Sequence, residues 1–327
     1  MNPRKTKKQL LDYSKRSAPY SLWNYVSDWS RFRKHSAARG ARTQRALRAR
    51  LVRQYHIVEK GLALPDPYVT LSRLRVGPLI DDLEQYSHRY GEDGVTAAAR
   101  QALREYVDAM APDPRADSVD LDRIRRTTDG AAENTASATI EIKRSEIAEQ
   151  VRLGGSDFFA SRHSIRHFSD DEDVDEDDVL EAIRMAQKTP SVCNRQAWRV
   201  RLFHDEDAKA KALKHQAGNR GFGDQIPLLL AITCDIQNYL HVGERNQAYV
   251  DGGMFAMSLV YALHAQGFGT CCLNWGKYRR QDLRAKRALR IPDTETIVMF
   301  MAVGHLPELF KVARSSRYDV DEMVVRH

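Results

Sequence analysis

Arg162-His163-Ser164-Ile165-Arg166-His167-Phe168 brackets a serine with two arginines, and the acidic run from Asp170 to Asp178 follows at once. The Arg-x-Ser-x-Arg spacing puts Arg162, Ser164 and Arg166 on one side of an extended or loosely helical segment. Two guanidinium forks and a hydroxyl on one side suit a single anion, because arginine grips phosphate in a planar, bidentate way. Arginines at the start of a domain also pair with carboxylates, and the acids next door are obvious partners. The rest of the chain has to decide between these readings.

The chain has 327 residues, enough for one large domain or two ordinary ones with a proper core. A hydrophobic content of 42% and a charged content of 29% are near globular norms and argue against wholesale disorder. The longest apolar runs, around Ile226 to Thr233 and Ile297 to Val303, are strand-sized rather than membrane-sized. The first residues are basic and polar with no apolar core behind them, so no signal peptide is expected. Cys193, Cys234, Cys271 and Cys272 form neither a disulfide framework nor a metal-ligand spacing. The vicinal pair could be redox-active but reads more simply as two small buried strand residues, and the chain as a reduced, cytoplasmic one.

Charge is unevenly spread. Residues 1–60 carry sixteen lysines and arginines against three acids, while the whole chain has a net charge of only +7. Such a stretch suits an anionic partner (nucleic acid, membrane surface or acidic polymer), or it is a solvated helical arm or one that pairs with the acidic remainder; the last two are the simpler readings. Tyr13, Tyr20, Trp23, Tyr25, Trp29 and Phe32 are interleaved with the bases and are expected to anchor this arm on a larger body.

Periodicity divides the chain near residue 150. Helices are expected over Ala41 to Lys60, Ser72 to Tyr90 and Val95 to Met110, with more helix between Ser118 and Glu149. Residues 1–150 therefore read as a basic, all-α extension and 151–327 as a second unit of alternating helices and strands. Its helices are expected over Asp175 to Lys188, Asp205 to Gln216, Ala248 to Gln266 and Arg279 to Leu289. Its strands are expected over Arg199 to Phe203, Leu228 to Cys234, Thr270 to Trp275 and Ile297 to Val303.

Four further stretches carry chemistry. In Pro190-Ser191-Val192-Cys193-Asn194-Arg195-Gln196-Ala197-Trp198, the amides of Asn194 and Gln196 can read a flat heteroaromatic edge, or simply cap a loop. Gly267-Phe268-Gly269-Thr270 leads into Cys271-Cys272-Leu273, where glycines admit a planar ring close to the backbone or make a tight turn. Val303-Gly304-His305 ends a strand, and Arg314-Ser315-Ser316-Arg317 is a late basic cluster suited to completing an anion site.

In this order the motifs resemble the nitroreductase family of flavin-dependent oxidoreductases, over roughly residues 155 to 325. The matching features are Arg162 to Phe168, the Pro-Ser-x-x-Asn-x-Gln loop with Ala197 where proline is usual, the Asp-Gly-Gly helix from Asp251, the Gly-Phe-Gly-Thr turn, Gly304 and Arg317. The resemblance implies an α+β nitroreductase-like fold with a central, mostly antiparallel sheet flanked by helices, here preceded by an atypical all-α region. It also implies an intertwined homodimer with FMN at its interface. By motif position, Arg162, His163, Ser164 and Arg166 meet the phosphate and ribityl chain, and Arg317 closes the phosphate site. Ser315 stands where the family commonly has lysine, and Arg314 is placed to compensate. Pro190, Ser191, Asn194 and Gln196 belong to the loop that approaches the flavin, often from the partner subunit, and Cys271, Cys272 and Leu273 run along its ring. Arg220 and Phe222, in a glycine-rich loop, are candidates for contacting substrate.

The implied activity is NAD(P)H-driven, ping-pong reduction of a small-molecule nitro, quinone or related acceptor, with the flavin rather than a side chain carrying the chemistry. Other chemistry on the same fold (dehydrogenase, dehalogenase, flavin-fragmenting) is the alternative. So is a non-catalytic module that binds anionic surfaces through its basic arm.

Overall fold

A computed structural model describes residues 18–37, 40–41, 43–63, 76–112, 118–129, 137–139, 155–170, 173–310, 312 and 319–327. Helices α1 (Ala18–His35), α2 (Gln44–Leu62), α3 (Gly77–Tyr90), α4 (Gly94–Met110) and α5 (Ser118–Thr128) come first. Then follow α6 (Ser156–Ser161), α7 (Glu176–Ala186), β1 (Trp198–Phe203), α8 (Glu206–Leu213), β2 (Leu228–Asp235), α9 (Gln247–Ala265), β3 (Phe268–Asn274), α10 (Arg279–Ala288), β4 (Glu295–His305) and α11 (Val320–Met323). The expected α+β class, with helices ahead of an antiparallel sheet, is what the chain adopts.

The four strands pair antiparallel throughout in the order β1-β2-β4-β3. All eight residues of β2 are buried, as its near-continuous apolar run requires of a strand covered on both faces. One face is covered by α7 and α9, with Phe255, Leu259, Val260 and Leu263 against Leu230 and Ile232. The other carries Leu229, Ala231, Phe300 and Ala302 with Ile165, Phe168 and Phe222. Acids Glu176, Asp177 and Asp178 occupy the first turn of α7 behind the Asp175 cap, where the helix dipole favours them. The end of the acidic run, from Asp175 to Asp178, is thus a helix start.

The start of β3 differs from expectation. Strand β3 begins at Phe268, which already pairs with His305, so only Gly267, at φ 88°, belongs to the turn. Gly269 lies inside the strand. In the helical region, α5 ends at Thr128, and residues 140–154 lie outside the described chain.

Helices α2 to α5 bury a core of their own, centred on Leu47, Leu51, Leu83, Tyr86, Leu103 and Ile124. Asp93 starts α4 with a capping box: it accepts from the Val95 and Thr96 amides while Thr96 returns a bond. The helix α1 behaves differently, for its Phe32 is buried in the core of the sheet domain. Arg31 donates to the Asp293 and Glu295 carbonyls at 3.3 and 3.4 Å and to Thr296 Oγ1 at 3.0 Å. Ala37 N–H donates to the Tyr239 carbonyl at 3.0 Å, and Arg45 is ion-paired with the fully buried Asp235. The basic stretch thus uses several of its charges on its own chain, Arg50 on Asp82 among them. No helix among the described residues is long and apolar enough to cross a membrane.

Candidate functional site

Strand β3 is a sheet edge, and its outer side is only partly occupied. Ile165 N–H donates to the Thr270 carbonyl at 2.8 Å through a parallel bridge between Ser164 and Thr270. At the far end, the Gln216 amide donates to the Asn274 carbonyl at 3.1 Å. In an antiparallel ladder, backbone groups of alternate residues point the same way. The Cys272 N–H and C=O therefore point off the edge between these two bonds, and no described backbone group takes them. A one-residue gap is left in the sheet edge, between the arginine motif and the glycine-rich loop.

The motif is held there by its apolar residues. Ile165 and Phe168 are buried, whereas Ser164 and Arg166 are exposed, as is His163, and Arg162 is half-buried. Gly269 and Gly304, paired across β3 and β4, explain the close seat. A Cβ on Gly269 would lie 3.0 Å from Ile165, and one on Gly304 would lie 2.6 Å from Phe168. These glycines thus make room for the chain's own motif. Neither Arg162 nor Arg166 has a carboxylate partner among the described residues; Arg166 reaches only the Ser164 carbonyl, at 3.4 Å.

Strand alternation separates the three residues expected along the ring. Cys271 and Leu273 are buried in the core, and burial pushes the Cys271 thiol up. Cys272, on the opposite face, is exposed. On the neighbouring loop, Arg220 is exposed but Phe222 is buried in the core with Ile226 and Leu229. A buried Phe222 cannot cover a ligand, so of the expected substrate pair only Arg220 remains available. Arg314 and Arg317 lie outside the described residues.

The second expected element, residues 190–196, is a strained loop. Cys193, Asn194 and Gln196 have φ of 48°, 52° and 47°, a left-handed region that costs a non-glycine residue about 1–3 kcal/mol. Gln196 N–H donates to Ser191 Oγ at 3.0 Å, and its side-chain amide donates to Asn194 Oδ1 at 3.2 Å. Ser191 and Asn194 are half-buried, while Pro190 and Gln196 are exposed.

Two buried groups that the sequence did not mark as site residues, Arg195 and Asp251, hold this loop. Arg195 donates to the Val192 and Asn238 carbonyls at 3.0 and 2.7 Å. It also grips Glu244 with bonds of 3.0 and 2.6 Å, its side chain fully buried. Burial alone would push Glu244 up, but bonds from Arg195 and the Leu240 amide outweigh it and hold the carboxyl below its usual range. Asp251, completely buried in α9, accepts from Val192 N–H at 3.3 Å and from the Gln247 amide at 2.8 Å. Its burial pushes its carboxyl up. Arg195 stands inside the motif loop, but nothing in its neighbours signals that it turns inward.

The two elements do not meet within one chain. The loop enters β1 at Trp198, which aligns through Cys234 with Thr296, whereas the arginine motif sits at Thr270, aligned with Val303 and Leu228. They occupy diagonally opposite corners of the sheet, with two strands between β1 and β3.

The chain matches the Nitroreductase family over residues 159–219 and 210–305. YodC of Bacillus subtilis (strain 168), provisionally named an NAD(P)H nitroreductase, is 22% identical over 45% of this chain and 87% of its own. An FMN-dependent nitroreductase from Clostridium difficile R20291 is 18% identical, with a TM-score of 0.44 over 52% of this chain and 98% of that one. A nitroreductase family protein from Streptococcus pneumoniae TIGR4 is 23% identical, with a TM-score of 0.45 over 52% and 98%.

Proposed function

We propose that residues 159–305, which match the Nitroreductase family, form a domain of that family, that the open edge at Cys272 holds FMN, and that the chain is an NAD(P)H-driven oxidoreductase. The observation that carries this reading is the gap itself. A backbone donor and acceptor at Cys272 face outward beside two guanidinium groups that have no carboxylate of their own among the described residues. A buried or half-covered strand edge leaves polar groups that need a partner, and a heterocycle with both donors and acceptors supplies one. Such a donor set fits a phosphate joined to a flat ring system.

Bound FMN would supply two-electron redox chemistry between a nicotinamide donor and a nitro, quinone or related acceptor. The chain's own residues do the rest. Arg162, Ser164 and Arg166 take the phosphate and ribityl chain beside His163, and Arg314 and Arg317 are the proposed late contributors. The Cys272 backbone orients the ring edge, and Arg220 faces the incoming acceptor. Residues Ser191 and Asn194, with Pro190 and Gln196 shaping their loop, reach the ring from a second copy, since one chain holds them at the far corner. In that homodimer the exposed stripe of Val250, Met254 and Met257 along α9 becomes the seam.

The test is the absorption spectrum after FMN is added and the excess removed by gel filtration. Retained flavin bands, with NADH or NADPH oxidation that gives parallel double-reciprocal lines against a quinone, support the proposal. A colourless protein that retains no flavin overturns it.

A further inference from the structure

A cavity of about 380 Å³ opens between α2 and the segment that carries the strained loop, within the size range of small-ligand sites. Four arginines line it: Arg45 and Arg48 from α2, Arg195 from the loop and Arg199 from β1. The amides of Asn194 and Gln196 share the wall, and no carboxylate is among the lining residues.

The four cations are not equivalent. Arg45 is paired with Asp235 and Arg195 with Glu244, so those two charges are compensated from behind the wall. Among the described residues Arg48 has only Asp93 as an ion-pair partner, at 3.9 Å. That carboxylate already accepts from the Val95 and Thr96 amides at 2.9 and 3.2 Å and from the Tyr86 hydroxyl at 2.9 Å. Arg199 donates to the carbonyls of Trp198 and Gln196, at 2.6 and 3.5 Å, and has no ion pair among the described residues. Two under-compensated guanidinium groups facing one cleft repel each other unless an anion joins them. Their forks and the neighbouring amides match phosphate oxygens.

We propose that this cleft is an anion site of the phosphate class, taking a pyrophosphate-like group between Arg48 and Arg199. A ligand there touches both the helical region and the sheet domain, and it lies against the loop whose conformation is strained. Arg48 and Arg199 are not part of the β3 edge, although the cleft shares Asn194 and Gln196 with the loop proposed to meet a second copy's flavin.

The experiment is calorimetric titration of the full chain with inorganic pyrophosphate at low salt, with flavin content recorded separately. Wild type is expected to bind saturably, and binding should weaken as salt rises. Arg48→Gln and Arg199→Gln should each lower affinity at least tenfold, while Arg184→Gln on exposed α7 leaves it unchanged. Circular dichroism and the melting midpoint check that each variant is folded. No saturable binding by wild type at millimolar pyrophosphate overturns the proposal, as does wild-type affinity in both folded variants. A kinetic arm identifies the source of the group. A raised KM for NADH or NADPH with kcat preserved in Arg48→Gln assigns it to the nucleotide's own pyrophosphate. An unchanged KM alongside weakened pyrophosphate binding assigns it to a separate phosphorylated compound. That arm rests on the flavin reading, but the titration does not.

Discussion

The chain has two arginine-rich regions, and they are built in opposite ways. At the β3 edge, Arg162 and Arg166 come from a single pentapeptide, and burying the residues between and beside them, Ile165 and Phe168, leaves Arg166 exposed and Arg162 half-buried. In the cleft, α2 contributes two arginines and the 195–199 segment two, and only packing brings them together. Among the described residues the first region leaves its cations without carboxylates, while the second compensates half of them from behind with the buried Asp235 and Glu244. A local motif can present charge cheaply at an edge. An assembled site needs buried counter-charges, so its arginines divide into structural ones and ones left to meet a ligand.

The sharpest way to break that contrast is Arg195→Ala. It strands Glu244 inside the protein and should cost about 3–5 kcal/mol in chemical denaturation. Replacing both Arg195 and Glu244 by methionine should recover much of that loss, since no buried charge then lacks a partner. The pair also makes stability pH-dependent. Glu244 titrates below its usual 4.5, so its contribution is present above that pH and fades as the pH falls through its lowered value. Wild type should therefore lose stability more steeply on acidification than Glu244→Gln, as followed by denaturation midpoints.

Gly304→Ala tests the edge from beneath. Its added carbon would meet Phe168 at 2.6 Å and Pro227 at 2.8 Å, so a loss of about 1–3 kcal/mol is expected. Retained FMN should fall with it, because the motif is pushed off β3. Arg166→Ala isolates the charge instead: flavin retention should drop about tenfold, roughly 1.4 kcal/mol, while stability stays within about 0.5 kcal/mol because the side chain is exposed. Flavin content equal to wild type would remove Arg166 from the site. The smallest effect is expected from Gln196→Gly. Relief of the left-handed strain should outweigh the lost amide bond to Asn194 and raise stability by about 0.5 kcal/mol.

The strands and helices of the second half were readable in the sequence because each is a periodic or continuous apolar run bounded by turn residues. Strand β2 and helix α9 are the clearest cases. Less legible was the use of glycine: Gly269 and Gly304 announce a close approach, but the sequence cannot say that Ile165 and Phe168 are what approach. The same holds for Phe222, whose glycine neighbours suggested a mobile cover and whose ring is in the core. Arg195 and Asp251 were hidden for a related reason. A charged residue reads as exposed until its buried partner is known, and Glu244 and Val192 lie elsewhere in the chain.

By itself the sequence determined the class of fold, the order of elements, the arginine motif and the loop of Pro190 to Trp198, all of which depend on residues close together in the chain. Tertiary structure alone decided that β3 is an open edge with Cys272 in its gap. It also set the motif and the loop at diagonal corners of the sheet, and it brought α2 against the loop that precedes β1 to form the arginine cleft. Those outcomes depend on strand order and helix docking, which rest on contacts between residues far apart in the chain and leave no local pattern to read.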